Sequence, residues 1–232
     1  MISLPLNWPQ EAWFRGWNLA DVGQTHMIQP STDNLLTVIS LAGRDITVEH
    51  AAAALSSVVA RHDALRSFIV GGFSTAAIQR IQTQPAKAGI AWLMPQIKIV
   101  DLEHWTNAIR VACSHDFSLG SEYPFITVLG ILRNRVVSIA AVVDHSACDG
   151  WGIAALEAEI RDQLVLEHPS SKAMRQPLQP RDVLAYQKSE AGTQKAASAL
   201  AYWKTVFERF ASSPRDYPYA VPIRTSRAAV IC

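Results

Sequence analysis

The chain has 232 residues, 49% of them apolar and 18% charged, with a formal net charge of +1 at neutral pH. That length holds one large domain or two small ones, and that balance excludes a disordered chain and a protein whose main partner is nucleic acid. The longest apolar run, Val136 to Val143, is broken by Ser138 and far too short to cross a bilayer; with no basic-then-apolar leader, a soluble, cytoplasmic protein off the membrane is expected.

Near the start, PLNWPQEAWFRGW mixes Trp8, Trp13, Phe14 and Trp17 with polar residues and suits an amphipathic helix whose tryptophans pack on a core. DNLLTVISLAG is rich in β-formers and ends at Gly43, which predicts a strand. Thr47 then caps a helix running through TVEHAAAALSSVVARHDALRSF, where Val48, Ala51, Ala52, Leu55, Val58, Val59, His62 and Leu65 recur at helical spacing. Gly71 and Gly72 break that pattern, and a poorly patterned stretch leads to a strand around IKIVDL. Glu103 to His115 resume helical spacing through Trp105, Ile109 and Ala112, followed by a loop at DFSLGSEYP.

FITVLGIL and VVSIAAVV flank Arg133, Asn134 and Arg135, the pattern of a β-hairpin; few charges in either half make both strands central. WGIAALEAEIRDQLVLEH returns to helix, with Trp151, Ala154, Ala155, Ile160 and Leu164 expected on its buried side. Pro169 to Pro180 reads as a loop, and a last helix over 193–210 carries Leu200, Tyr202, Trp203, Val206, Phe207 and Phe210. Strands alternating with helices make this an α/β chain. Cys113, Cys148 and Cys232 are widely spaced with no C-x-x-C pair, so reduced thiols are expected.

The run VVDHSACDGWG, Val142 to Gly152, lies between the second hairpin strand and the following helix. A histidine at a strand end, held in one orientation, can take a proton near neutrality. Asp149, four residues after His145, suits pairing with a buried arginine that fixes the loop, and Gly150 suits a tight exit into the helix. Equally, Asp149 or Ser146 can be an ordinary helix cap, because Asp-Gly is common in turns. Asp144, His145 and Asp149 make a poor metal set, since neighbours on an extended strand point to opposite faces. No G-x-S-x-G elbow supports a serine hydrolase, and no Gly-rich loop supports phosphate binding.

DHSACDGWG resembles the His-His-x-x-x-Asp-Gly signature shared by chloramphenicol acetyltransferase and the condensation domains of nonribosomal peptide synthetases. RHDALRSF, Arg61 to Phe68, resembles the Arg-His-Glu-x-Leu-Arg-Thr-x-Phe motif of condensation domains and lies upstream of the histidine, as in that family. PLNWPQEAWF, DVLAYQ and YWKTVF are softer matches in the same order. The resemblance implies a chloramphenicol acetyltransferase-like lobe, a mixed and largely antiparallel sheet flanked by helices, over residues 1–212. Residues 213–232 would then be a linker toward a second lobe.

By that resemblance His145 takes the catalytic place, as base or as a group that positions the acceptor amine. Asp149 takes that of the arginine-paired structural aspartate, and Gly150, Arg61, Arg66 and Trp203 are active-site support. Asp144 stands where the family has its first histidine. The implied reaction joins an acyl group, held as a thioester on a carrier protein's phosphopantetheine arm, to an acceptor amine or hydroxyl, and no cofactor is bound directly. Two other functions stay open: a non-catalytic lobe that docks a carrier protein, and an acyl-coenzyme A-dependent transferase. The isolated lobe is expected to be inactive or nearly so, with an apolar face that promotes self-association.

Overall fold

The computed structural model describes residues 1–12, 34–72, 75–83, 93–165 and 176–212. Contacts within the chain divide it after Pro180 into two compact units. The division falls inside the range expected to form a single lobe.

The first unit is built on a four-stranded sheet in the order β2-β7-β6-β5, comprising β2 (Leu35–Ser40), β5 (Ile97–Asp101), β6 (Phe125–Leu132) and β7 (Arg135–Val143). β6 and β7 form the expected hairpin, and its turn is tighter than the three polar residues suggest. Arg133 and Asn134 alone take φ of 51° and 61°, the paired left-handed conformations of a type I′ turn, whose twist matches that of the flanking strands. β2 runs antiparallel to β7 with Ile39 opposite Ile139, while β5 runs parallel to β6 with Ile97 opposite Thr127. A parallel pair needs a crossover, and helix α2 (Trp105–Cys113) supplies it.

Both sheet faces are covered, which is why β6 and β7 read as nearly unbroken apolar runs. On one face Val128, Ala140 and Val142 pack with Ala112, Cys113 and Phe117. Here Gly130 leaves room for the Trp105 ring, since a Cβ at that position would lie 2.8 Å from Trp105 Cε3. On the other face Ile39, Leu129, Ile139 and Val143 meet α1 (Val48–Arg61) and α3 (Gly150–Val165). α1 begins as expected, with the His50 N–H donating to Thr47 Oγ1 at 3.1 Å.

Three expectations need correction. α1 does not run on to Phe68: His62 leaves the helical conformation, 63–66 form a single 3₁₀ turn, and Ser67–Gly72 is strand β3. β3 pairs with β4 (Thr75–Ile81), which pairs with β1 (Ile2–Pro5), so a second sheet in the order β1-β4-β3 exists that was not anticipated. The helix placed at the N-terminus begins only at residue 8, where Asn7 and Gln10 cap each other's backbone N–H groups at 3.0 and 3.2 Å. Trp8 is 46% exposed, and Trp13, Phe14 and Trp17 lie outside the described residues.

The buried stripe of α3 also differs. Leu156, Ile160 and Leu164 face the core, with Ile153 packed against it, while Trp151 is 86% exposed and Ala154 and Ala155 face outward. In the second unit, α4 (Pro180–Lys188) and α5 (Glu190–Ser212) are separated at Ser189, whose hydroxyl accepts from the Gly192 N–H at 3.1 Å. Leu200, Tyr202, Trp203 and Phe207 on α5 are all more than half exposed. Among the described residues no helix is long and apolar enough to cross a membrane.

Candidate active site

β7 ends at Val143, and residues 144–149 form the loop that leads into α3. The loop is pinned at its entry by Asp144, which is 2% exposed. The Asp144 N–H donates to the Pro124 carbonyl at the foot of β6 (2.9 Å), and its own carbonyl accepts from the Ala147 N–H (3.0 Å). Its Oδ1 accepts from the Ser146 N–H at 2.8 Å, folding the chain around His145, which is half-buried.

The Asp144 carboxyl is held above its ordinary value. Burial is the main cause, the hydrogen bonds from Ser146 and the nearby His145 ring work against it, and Asp116, in the loop after α2, adds to it. Cys148 sits half-buried in the same loop, and burial, with the negative Asp149 and Asp144 nearby, pushes its thiol up to about 12. A thiol so reluctant to ionise is no nucleophile near neutral pH. Among the described residues neither Cys113 nor Cys148 forms a disulfide.

At the loop's exit, Asp149 Oδ1 accepts from the Gly152 N–H at 2.8 Å, capping α3. Among the described residues no arginine pairs with it, so the capping alternative is the one the structure displays. The glycine that matters is not the expected one. Gly150 has no positive φ, and a Cβ there would meet nothing within 4 Å among the described residues. At Gly152 a Cβ would fall 2.8 Å from Cys148 Cβ, because the loop folds back over the first turn of the helix. Alanine in a helix normally stabilises relative to glycine by about 1 kcal/mol. Gly152→Ala is expected to do the reverse, losing about 1–3 kcal/mol in urea unfolding through overpacking. Cys148→Gly, which deletes the opposing Cβ, should restore part of that loss in the double variant.

Arg61 and Arg66 do different work. Arg66 turns inward onto the end of α1 and onto Asp63. Arg61 reaches α3, where its Nε contacts Glu159 Oε1 at 2.6 Å, and His62 Nε2 lies 2.7 Å from Glu159 Oε2. Gln179 adds a second tie, accepting from the Asp63 N–H (2.8 Å) and donating to the Arg61 carbonyl (2.8 Å). The segment carrying RHDALRSF is thereby fixed by Glu159 to the helix that follows DHSACDG and by Gln179 to the stretch just before α4, and sequence reasoning passed over both residues. Trp203 belongs to the second unit, where its ring lies 5.5 Å from Tyr202 and 6.0 Å from Phe207.

The loop can therefore present one imidazole from a fixed backbone, with a thiol rather than a thiolate in the same loop. Asp101, Glu103 and His104 do place ligand atoms within 4.8 Å of one another, but all three are exposed, at the end of edge strand β5.

No family model matches the chain. An isonitrile lipopeptide synthase of Mycobacterium tuberculosis (strain ATCC 25618 / H37Rv) is 30% identical over 132 residues, which is 55% of this chain and 5% of that protein. The condensation domain from Monacolin K polyketide synthase MokA superposes with a TM-score of 0.64 at 15% identity, over 88% of this chain and 43% of that one. A structure concerned with condensation domain-mediated chain release from the enacyloxin polyketide synthase gives 0.61 at 19% identity, over 88% and 38%. The X-domain from teicoplanin biosynthesis, in complex with OxyB, gives 0.61 at 18% identity, over 88% and 43%. The chain thus has the fold of condensation domains and spans less than half the length of each of these structures.

Proposed function

We propose that the chain is the histidine-bearing part of a condensation-type acyltransferase. His145 would hold or deprotonate an acceptor amine or hydroxyl while it attacks an acyl thioester presented on the phosphopantetheine arm of a carrier protein. The attack forms the amide or ester bond and releases the carrier's thiol, which takes up the proton. A second lobe, in cis or in trans, would supply the facing wall of the site. The observation that carries this reading is the single half-buried imidazole on a loop pinned at both ends, by Asp144 to the foot of β6 and by Asp149 to α3. General acid–base groups contribute factors of about 10²–10⁴, so His145→Ala in the full-length protein is expected to slow transfer from an acyl-loaded carrier by that much. Unchanged turnover would exclude the reading.

A second reading, a lobe that binds a partner protein without catalysis, is favoured by one neighbour of this fold being an X-domain in complex with OxyB and by Asp144 in the place of the signature's first histidine. Carrier binding that persists with no transfer from any acyl thioester, in wild type and His145→Ala alike, would support it over the first.

A further inference from the structure

We propose that Asp144 is the positioning residue of this site, its buried carboxyl closing a turn onto the Ser146 N–H and so fixing where His145 points. The inference rests on the reading of His145 as the reactive group, and it concerns a residue in which this chain departs from the signature it resembles.

Three hydrogen bonds converge on Asp144, and each constrains the histidine's own backbone. The N–H to Pro124 and the carbonyl to Ala147 hold the loop on both sides of His145, and Oδ1 to Ser146 fixes the peptide that follows it. At 2% exposure this carboxyl has little water to exchange for those partners, so the geometry of the turn depends on them. The groups facing it are His145, Ser146 and Cys148 from its own loop and Asp116 from the loop after α2. Its neighbourhood therefore includes one other carboxylate, one imidazole and one thiol. The ionised form strengthens the acceptor for Ser146 and attracts a protonated His145, but it is also the form that burial disfavours.

The sign follows from the carboxyl being held above its ordinary value near 3.8. Burial then costs stability as the pH rises through the raised value, and nothing below 3.8, where Asp144 is protonated whether the chain is folded or not. Asparagine keeps an oxygen for the Ser146 N–H and carries no charge to bury. Asp144→Asn should therefore exceed wild type in thermal midpoint by a margin that grows as the pH rises from about 4 through the raised value and then holds, measured by scanning calorimetry in a buffer series from about pH 4 to about pH 8.

The deciding experiment compares Asp144→Asn and Asp144→Ala in the full-length protein. Amide exchange at Ser146 and the NOE pattern of the His145 ring at fixed pH are followed alongside transfer kinetics. Asp144→Ala is expected to speed Ser146 exchange by about tenfold or more and to lower kcat by about tenfold with KM changed by less than about twofold. Asp144→Asn should retain Ser146 protection and the wild-type NOE pattern of the His145 ring and recover most of kcat, whereas Asp144→Ala should change that pattern. Protected Ser146 and an unchanged His145 NOE pattern in Asp144→Ala would overturn the proposal. The two structural readouts do not depend on turnover, so if His145→Ala proves fully active the functional reading fails while the positioning claim is still decided by them.

Discussion

Arg66→Met is expected to destabilise the chain by about 3–5 kcal/mol, the range seen when one partner of a buried charge pair is removed. The Arg66 side chain is 7% exposed and its guanidinium serves four acceptors. Nε donates to the Val59 carbonyl and Nη2 to the Ala60 carbonyl, both at 3.1 Å, so it closes the last turn of α1, where helical carbonyls lose their intrahelical partners. Nη2 also meets Asp63 Oδ1 at 2.6 Å, and Nη1 donates to the Gln82 carbonyl just beyond β4. Methionine fills much of the volume but offers none of these donors, leaving carbonyls and the Asp63 carboxylate in a poorly hydrated place. Asp63→Asn added to Arg66→Met should recover part of the loss by removing the stranded charge. Urea unfolding monitored by circular dichroism gives both numbers, and a loss below about 1 kcal/mol for the single variant would show that the four contacts contribute little net stability.

That contact set explains why RHDALRSF was only half legible as sequence. Val58 and Val59 before it and His62 and Leu65 within it continue the helical period, and nothing in local propensity ends α1 at Arg61. What ends it is tertiary: Arg66 collects the terminal carbonyls from six and seven residues downstream, and Ser67 to Gly72 are claimed by pairing with β4. β4 was missed for a related reason, since TAAIQRI is built largely of helix-forming residues and becomes a strand between two partners. The hairpin was legible because both of its strands are buried on both faces, so each reads as strand without help from a neighbour.

The face of α3 was misjudged because alanines all round the helix blur the stripe and Trp151 draws the eye to the wrong side. The same helix hides the residue that joins the two motifs. Glu159 looks like a solvated charge in sequence, and its partners lie 97 and 98 residues earlier. No local pattern carries a contact of that range. His145 and its loop were legible as chemistry because the motif is contiguous, whereas the means of holding it in place had to come from the fold: Asp144 turned onto Ser146, Gly152 pressed against Cys148, Glu159 tied to Arg61.

Glu159 is therefore the other position where a single change should have a large effect. Its side chain is 10% exposed and carries two short contacts, Arg61 Nε at 2.6 Å and His62 Nε2 at 2.7 Å, that together fasten the end of α1 to the middle of α3. Burial alone would push its carboxyl up, but the His62 hydrogen bond and the charges of His62 and Arg61 prevail and hold it below its ordinary value near 4.5. A carboxylate with a depressed folded value contributes stability that is fully present above its unfolded value and is lost as the pH falls through the folded one. Glu159→Leu should cost about 2–4 kcal/mol at pH 7, less than a fully buried pair because Arg61 remains 30% exposed and can rehydrate. Glu159→Gln should cost less, since an amide can still bond one partner. The gap between wild type and Glu159→Gln should shrink steadily below about pH 4.5 as the wild-type carboxyl takes up its proton. Urea unfolding at pH 7, 5 and 4 tests the argument, and a gap that stays constant across that range would mean the tie acts through packing rather than charge. Because α3 begins at the loop that carries His145, loosening this tie should also reach the site, and its mark would be faster Ser146 amide exchange in Glu159→Leu than in Glu159→Gln.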